Sequence, residues 1–221
     1  MEPIFRDRTD AGKVLAERVV HSVHDRDVLV LGLPRGGVPV AFEIAHALHA
    51  ELDVFLVRKL GLPGHEELAI GAIASGGVRV LNEALLAELH LSPKLIDQIA
   101  AREERELRRR EELYREGRPP LPVRNRTVLL VDDGLATGAS MKAAAQALQL
   151  QGPKRLIVAV PVAASQTCDE FRMHVDEVIC AYTPQPFMAV GLWYEDFSQT
   201  TDQEVQQLLE DAARQTRAQH D

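Results

Sequence analysis

The stretch Val128-Leu-Leu-Val-Asp132-Asp133-Gly134-Leu-Ala136-Thr137-Gly138-Ala139-Ser140 decides the fold. An unbroken apolar run meets two carboxylates, then a short Gly/Thr/Ser loop, then an Ala-rich helical pattern from Met141 to Leu150. Such a run, bounded this way, reads as a parallel strand covered on both faces. Its end is then the carboxyl edge of an open α/β sheet, where ligands bind. Gly134 and Gly138 let the backbone turn tightly and approach a ligand. The amides of Ala136, Thr137, Gly138, Ala139 and Ser140 stand at a helix N-terminus, a ready anion site. The hydroxyls of Thr137 and Ser140 add two donors. Asp132 and Asp133 lie beside this cradle, so one loop offers amides for a phosphate and acids for sugar hydroxyls and a divalent cation. No lysine follows Gly138, which excludes a Walker A loop.

Outward from this stretch the elements alternate. A helix is expected from Asp10 to Val23, with Thr9 or Asp10 as its cap. Strands are expected over Val28–Leu33, Leu52–Val57, Arg155–Val162 and Val175–Ala181, with helices over Val38–Ala50, Ser165–Met173 and Asp202–Gln215. Residues 69–74 and 78–81 read as a hairpin around Ser75-Gly76-Gly77. Strand alternating with helix implies an open, mostly parallel sheet with helices on both faces. Residues 82–118 differ: Asn82 and Ser92-Pro93 cap two helices, and from Arg102 to Arg118 nearly every residue is Arg or Glu. Only Ile96, Ile99, Ala100, Leu107, Leu113 and Tyr114 give that segment an apolar stripe. It reads as a solvated helical spacer, with a dimer contact or a lever for an active-site lid as the alternatives.

The 221 residues, 46% hydrophobic, suit one globular domain with appendages, and the net charge of −8 argues against a nucleic-acid surface. No apolar run approaches a membrane span, and the N-terminus has neither the basic start nor the apolar stretch of a signal peptide. Cys168 and Cys180 are expected as reduced, buried thiols of a cytoplasmic protein. His46 and His49 share a helix face without a third ligand nearby and read as surface residues.

The Val128–Ser140 stretch resembles the phosphoribosyl-diphosphate (PRPP) signature of the type I phosphoribosyltransferases, where two acids close an apolar strand and a Thr-Gly-x-Thr/Ser loop follows. All thirteen positions fit. The resemblance implies that core over about residues 26–182, a lid and helical insertion over 59–126, and a small hood formed by 183–221 with the N-terminal helix 1–24. It further implies that Leu33-Pro34-Arg35-Gly36-Gly37 is the pyrophosphate loop, with a cis peptide at Pro34–Arg35. Arg58 and Lys59, at the end of the second strand before a mobile loop, would assist Arg35, Gly36 and Gly37 with the diphosphate. Otherwise they are solvated surface cations. In the hood, Trp193 or Phe187 would stack on the acceptor, or else simply pin the tail to the core. Glu195 or Asp196 would join Asp132 and Asp133 around Mg²⁺.

The implied activity is Mg²⁺-dependent transfer of 5-phosphoribosyl from PRPP to a nitrogenous base, with Asp132, Asp133, Arg35 and Lys59 in catalysis, by a homodimer. The alternatives are a non-catalytic sensor of PRPP or a nucleotide, and a metal-dependent phosphatase or nucleotidyl enzyme. One departure stands out: purine-type members carry a lysine after the fourth core strand, where this chain reads Val160-Pro-Val-Ala-Ala164. A 6-oxopurine acceptor is not expected.

Overall fold

A computed structural model describes residues 2–218, apart from the side chains at positions 66 and 67. Five parallel strands, β1 (Val28–Gly32), β2 (Glu51–Val54), β6 (Thr127–Val131), β7 (Arg155–Val162) and β8 (Glu177–Tyr182), form the main sheet in the order β2-β1-β6-β7-β8. A separate antiparallel sheet follows β2 in the chain: β3 (Val57–Leu62), β4 (His65–Ala74) and β5 (Val78–Leu81). The helices are α1 (Arg8–Ser22), α2 (Gly37–Leu48), α3 (Glu83–Glu88), α4 (Pro93–Arg115), α5 (Ala139–Leu150), α6 (Ser165–Phe171) and α7 (Asp202–Ala218).

Strand side chains alternate between two apolar layers, as the period of two requires. Val30, Leu129, Val131, Ile157 and Ala159 pack with α1, α2 and α7. Leu31, Val128, Leu130, Val158 and Val160 pack with Met141, Ala144 and Leu148 of α5 and with Phe171 of α6. Both faces of the main sheet are therefore covered, which is why its strands read as unbroken apolar runs. The small sheet is divided likewise: Leu60, Ile70 and Ile73 join the first layer together with α4, whereas Val57, Ala74, Val78 and Val80 join the second with α5.

Several expectations require correction. Asp7, not Thr9 or Asp10, caps α1, its carboxylate accepting from the Asp10 amide at 2.8 Å. A β-region Asp followed by helix is an ordinary cap; Arg8 and Thr9 are simply the first helical turn. The second strand ends at Val54, and Arg58 and Lys59 lie on β3 of the small sheet rather than at the main sheet's edge. The segment after Lys59 is thus an ordered strand pair. The α4 insertion is no solvated spacer: Ile99, Ala100, Leu107 and Tyr114 are buried in the first layer. Its last turn is locked by Arg115, only 6% exposed, whose Nε donates to both carboxylate oxygens of the equally buried Asp53 and whose Nη2 donates to the Val54 carbonyl. Exposed Glu–Arg pairs such as Glu106 with Arg109 and Arg110 occupy the other face. Cys168 and Cys180, expected as thiols, form a disulfide between α6 and β8. Twelve residues apart in sequence, they meet because α6 folds back over the adjoining strand. The two surface histidines are exposed as expected.

Candidate active site

The loop 132–138 leaves β6 and is fastened to the end of β7. Leu135 donates to the Val162 carbonyl at 2.9 Å, Ala164 donates back to Leu135 at 3.1 Å, and the Thr167 hydroxyl donates to the Ala136 carbonyl at 2.7 Å. Gly138 has φ +71° and serves as the α5 N-cap, and a Cβ there would come within 2.6 Å of the Phe171 ring. Only glycine meets both conditions. No side chain caps this helix, so its first-turn amides face outward as anion donors. Ala136, Thr137, Ala139 and Ser140 are all exposed.

The second loop, Leu33 to Gly37, lies directly against the two acids. A Cβ at Gly36 would fall 2.0 Å from Asp133 Oδ2, and one at Gly37 would fall 2.6 Å from the Val131 carbonyl oxygen. The double glycine is what allows this approach. The Pro34–Arg35 peptide is cis, as the resemblance implied. The Gly37 amide, however, donates to the Leu33 carbonyl at 3.0 Å and is spent within the turn. Arg35 lies 3.7 Å from Asp202 at the start of α7, and the Tyr114 hydroxyl donates to the same carboxylate at 2.7 Å. Burial, with the Asp202 charge, pushes the Tyr114 phenol up to about 12.

Asp132 and Asp133 sit in a shared, partly buried position. Burial and the neighbouring Asp133 charge raise the Asp132 carboxyl well above the usual carboxylate range. Burial also raises Asp133, against the pull of Arg8. Two residues that sequence reading did not single out complete this corner. Arg8 donates through Nε to Asp133 Oδ2 at 2.8 Å and through Nη1 to the Ser198 carbonyl at 2.6 Å, with its guanidinium 4.0 Å from the Phe197 ring centroid. Tyr194 donates its hydroxyl to the Asp133 carbonyl at 2.5 Å. Separations of 125 and 61 residues left no local signal for either.

The remaining candidates are dispersed. Arg58 pairs with Glu103 of α4 at 2.6 Å and does not turn toward the acids. Lys59 lines a cleft of about 690 Å³ between the small sheet and α5, and this cleft reaches Ala139 and Ser140. Trp193 is 5% exposed, in a small cluster with Phe5, Val162 and Tyr194, and stacks on Phe187 at 6.3 Å between ring centroids. The packing of Trp193 fits the tail-pinning reading, while Phe187 is half-buried. Glu195 is exposed. Among the described residues no group of three or more His, Cys, Asp or Glu is placed to hold a metal ion.

A parallel α/β sheet with an uncapped helix start and an acid pair at its carboxyl edge has the place where open sheets of this kind bind ligands. The chain belongs to the phosphoribosyl transferase domain family, whose model matches residues 6–191. Two relatives from Mycobacterium tuberculosis, strains CDC 1551 / Oshkosh and H37Rv, bear the provisional name of phosphoribosyl transferase. Each is 46% identical over 211 residues, covering 96% of this chain and 47% of the relative. The chain therefore spans about half the length of these relatives. The crystal structure of TT1426 from Thermus thermophilus has 45% identity and a TM-score of 0.83, over 96% of this chain and 99% of that one. Among the described residues no helix is long and apolar enough to cross a membrane.

Proposed function

We propose that the chain transfers the 5-phosphoribosyl group of PRPP to a nitrogenous acceptor with release of pyrophosphate. The observation that carries this reading is the uncapped start of α5 behind Gly138, set beside Asp132 and Asp133 in a chain of this family. The amides and hydroxyls from Ala136 to Ser140 bind the 5′-phosphate. Asp132 and Asp133 accept from the ribose hydroxyls. Arg35, Lys59 and the Gly36 amide meet the pyrophosphate; Gly37 contributes close packing only, since its amide is already engaged.

Mg²⁺ suits this donor set: burial holds both adjacent carboxyls above their ordinary range, the Asp133 charge raises Asp132 further, and a divalent cation would relieve both. Asp132 and Asp133 would hold it, and it would supply charge neutralisation for the diphosphate. Arg8 orients Asp133, which takes the proton when the incoming nitrogen must shed one. Positioning and charge stabilisation at an oxocarbenium-like C1 supply the catalysis. The homodimer and the cytoplasmic setting belong to the same reading. The disulfide runs against that setting, because cytosolic thiols are held reduced.

Pyrophosphate release from Mg-PRPP over a panel of bases tests the reading. Asp133→Asn is expected to abolish release while circular dichroism stays unchanged. Full activity in that variant removes the acids from the mechanism, and PRPP binding without turnover for any base favours a sensor.

A further inference from the structure

The Cys168–Cys180 disulfide joins α6, a helix of seven residues, to β8 at the edge of the main sheet. A helix that short has little stability of its own and takes its place from what it is tied to. The ties of α6 run in two directions. Toward the loop after β6, the Thr167 hydroxyl donates to the Ala136 carbonyl and the Phe171 ring packs against Gly138. Toward the sheet, the covalent link leaves from Cys168, the residue next to Thr167. We propose that this bond is a reversible redox switch on the loop after β6. Oxidised, it holds the amides of Ala136 to Ser140 ready for a phosphate; reduced, it lets them loosen. That the loop takes a phosphate rests on the transfer reading above.

The two sulfurs are unequal. Cys168 is 1% exposed, whereas Cys180 is half-buried on the last strand of the sheet. A thiolate from solvent therefore meets Cys180 first, and disulfides within reach of solvent thiols are the exchangeable ones. The thiolate of a dithiol reductant attacks Cys180 Sγ. The S–S bond breaks, its electron pair leaves on Cys168 Sγ, and that sulfur takes a proton from water. The second thiol of the reductant, deprotonated, then displaces Cys180 Sγ, which is protonated in turn. The protein gains two electrons and two protons, and the reductant becomes a disulfide. A disulfide oxidant runs the same steps backwards. The two thiols stay close after reduction, because β8 keeps its pairing with β7 while Cys168 and Phe171 remain in the second apolar layer. What the loop loses is its fixed backing. Thr167 is then freer to leave Ala136, and ordering the amides around a phosphate costs conformational entropy that the oxidised chain has already lost. Where thiols are held reduced, the disulfides that do form are usually catalytic or redox-sensing, so the switch and the cytoplasmic setting agree.

The test compares the full chain purified without reductant, the same chain in dithiothreitol, and Cys168→Ala/Cys180→Ser in both buffers. Hydrogen exchange read by mass spectrometry follows the loop, and calorimetric titration with Mg-PRPP follows its ligand. Reduction is expected to speed exchange over residues 135–140 and 165–171 about tenfold and to leave β6 and β7 unchanged. It is also expected to weaken Mg-PRPP binding about tenfold, a ~1.4 kcal/mol change. The double variant should match the reduced chain and ignore the reductant, and glutathione disulfide should restore the parent. Equal affinity in the two states of a chain that binds Mg-PRPP overturns the switch and leaves the transfer reading standing. A chain that glutathione disulfide cannot re-oxidise overturns it, as does loss of circular dichroism on reduction, since the bond is then a staple of the whole fold. If neither state binds Mg-PRPP, the transfer reading falls, and exchange alone decides whether the bond controls the loop.

Discussion

Asp133 is held from three distant parts of the chain: Arg8 on its carboxylate, Tyr194 on its carbonyl, and Gly36 against its Oδ2. Removing Arg8 leaves a partly buried carboxylate without its cation, so Arg8→Ala should cost about 3 kcal/mol in urea unfolding. In the Asp133→Asn background the same change should cost much less, and a double-mutant cycle measures the difference. Gly36→Ala places a methyl on the carboxylate oxygen and should lose Mg-PRPP binding by calorimetry even where the chain folds. Tyr114 permits a pH test. Its folded-state pKa, about 12, lies above the ordinary value near 10. The stability from its bond to Asp202 is therefore full below pH 10 and is lost as pH climbs toward 12. The difference in urea-unfolding free energy between parent and Tyr114→Phe should be about 1–2 kcal/mol at pH 8 and should shrink by pH 11. At this scale the sequence disclosed the acids and the glycines, because their chemistry is written in neighbouring residues. It did not disclose Arg8 or Tyr194, whose meaning exists only once the ends of the chain meet.

Elements of the main sheet were legible because both faces are buried. Arg155–Val162 is an uninterrupted apolar strand after its first residue, and it was expected with the boundaries found. The small sheet was half legible: the β4–β5 turn carries its glycines openly, but β3 reads Val-Arg-Lys-Leu-Gly-Leu, which mixes charge with apolar residues and resembles a loop. Its alternation makes sense only with α4 on one face and α5 on the other. The disulfide belongs to this scale too. It ties α6, whose Thr167 and Phe171 steady the loop after β6, to β8. Cys180→Ser should lower stability by up to about 3 kcal/mol on the loop-closure estimate. Mass spectrometry of the chain purified without reductant should find no free thiol.

For the whole molecule, the charged insertion shares the core rather than standing apart from it. Its Arg/Glu face misled the reading because α4 needs few apolar residues: Leu107 and Tyr114 reach the core across a narrow stripe, and Arg115 enters it as an ion pair. Leu107→Ala should therefore cost about 2–5 kcal/mol and shift a single unfolding transition seen alike by fluorescence and circular dichroism. A solvated spacer would show less than about 0.5 kcal/mol.

The pairing of Asp53 with Arg115 has a topological consequence. The chain leaves β2 just after Asp53, builds the small sheet and two helices, and is brought back by Arg115 to the residue it set out from. The whole excursion is a cassette clipped at its base. The pairing of the five parallel strands lies wholly outside it, so a different cassette between the same two ends would leave that pairing in place only if it brought an equivalent apolar face to the shared core.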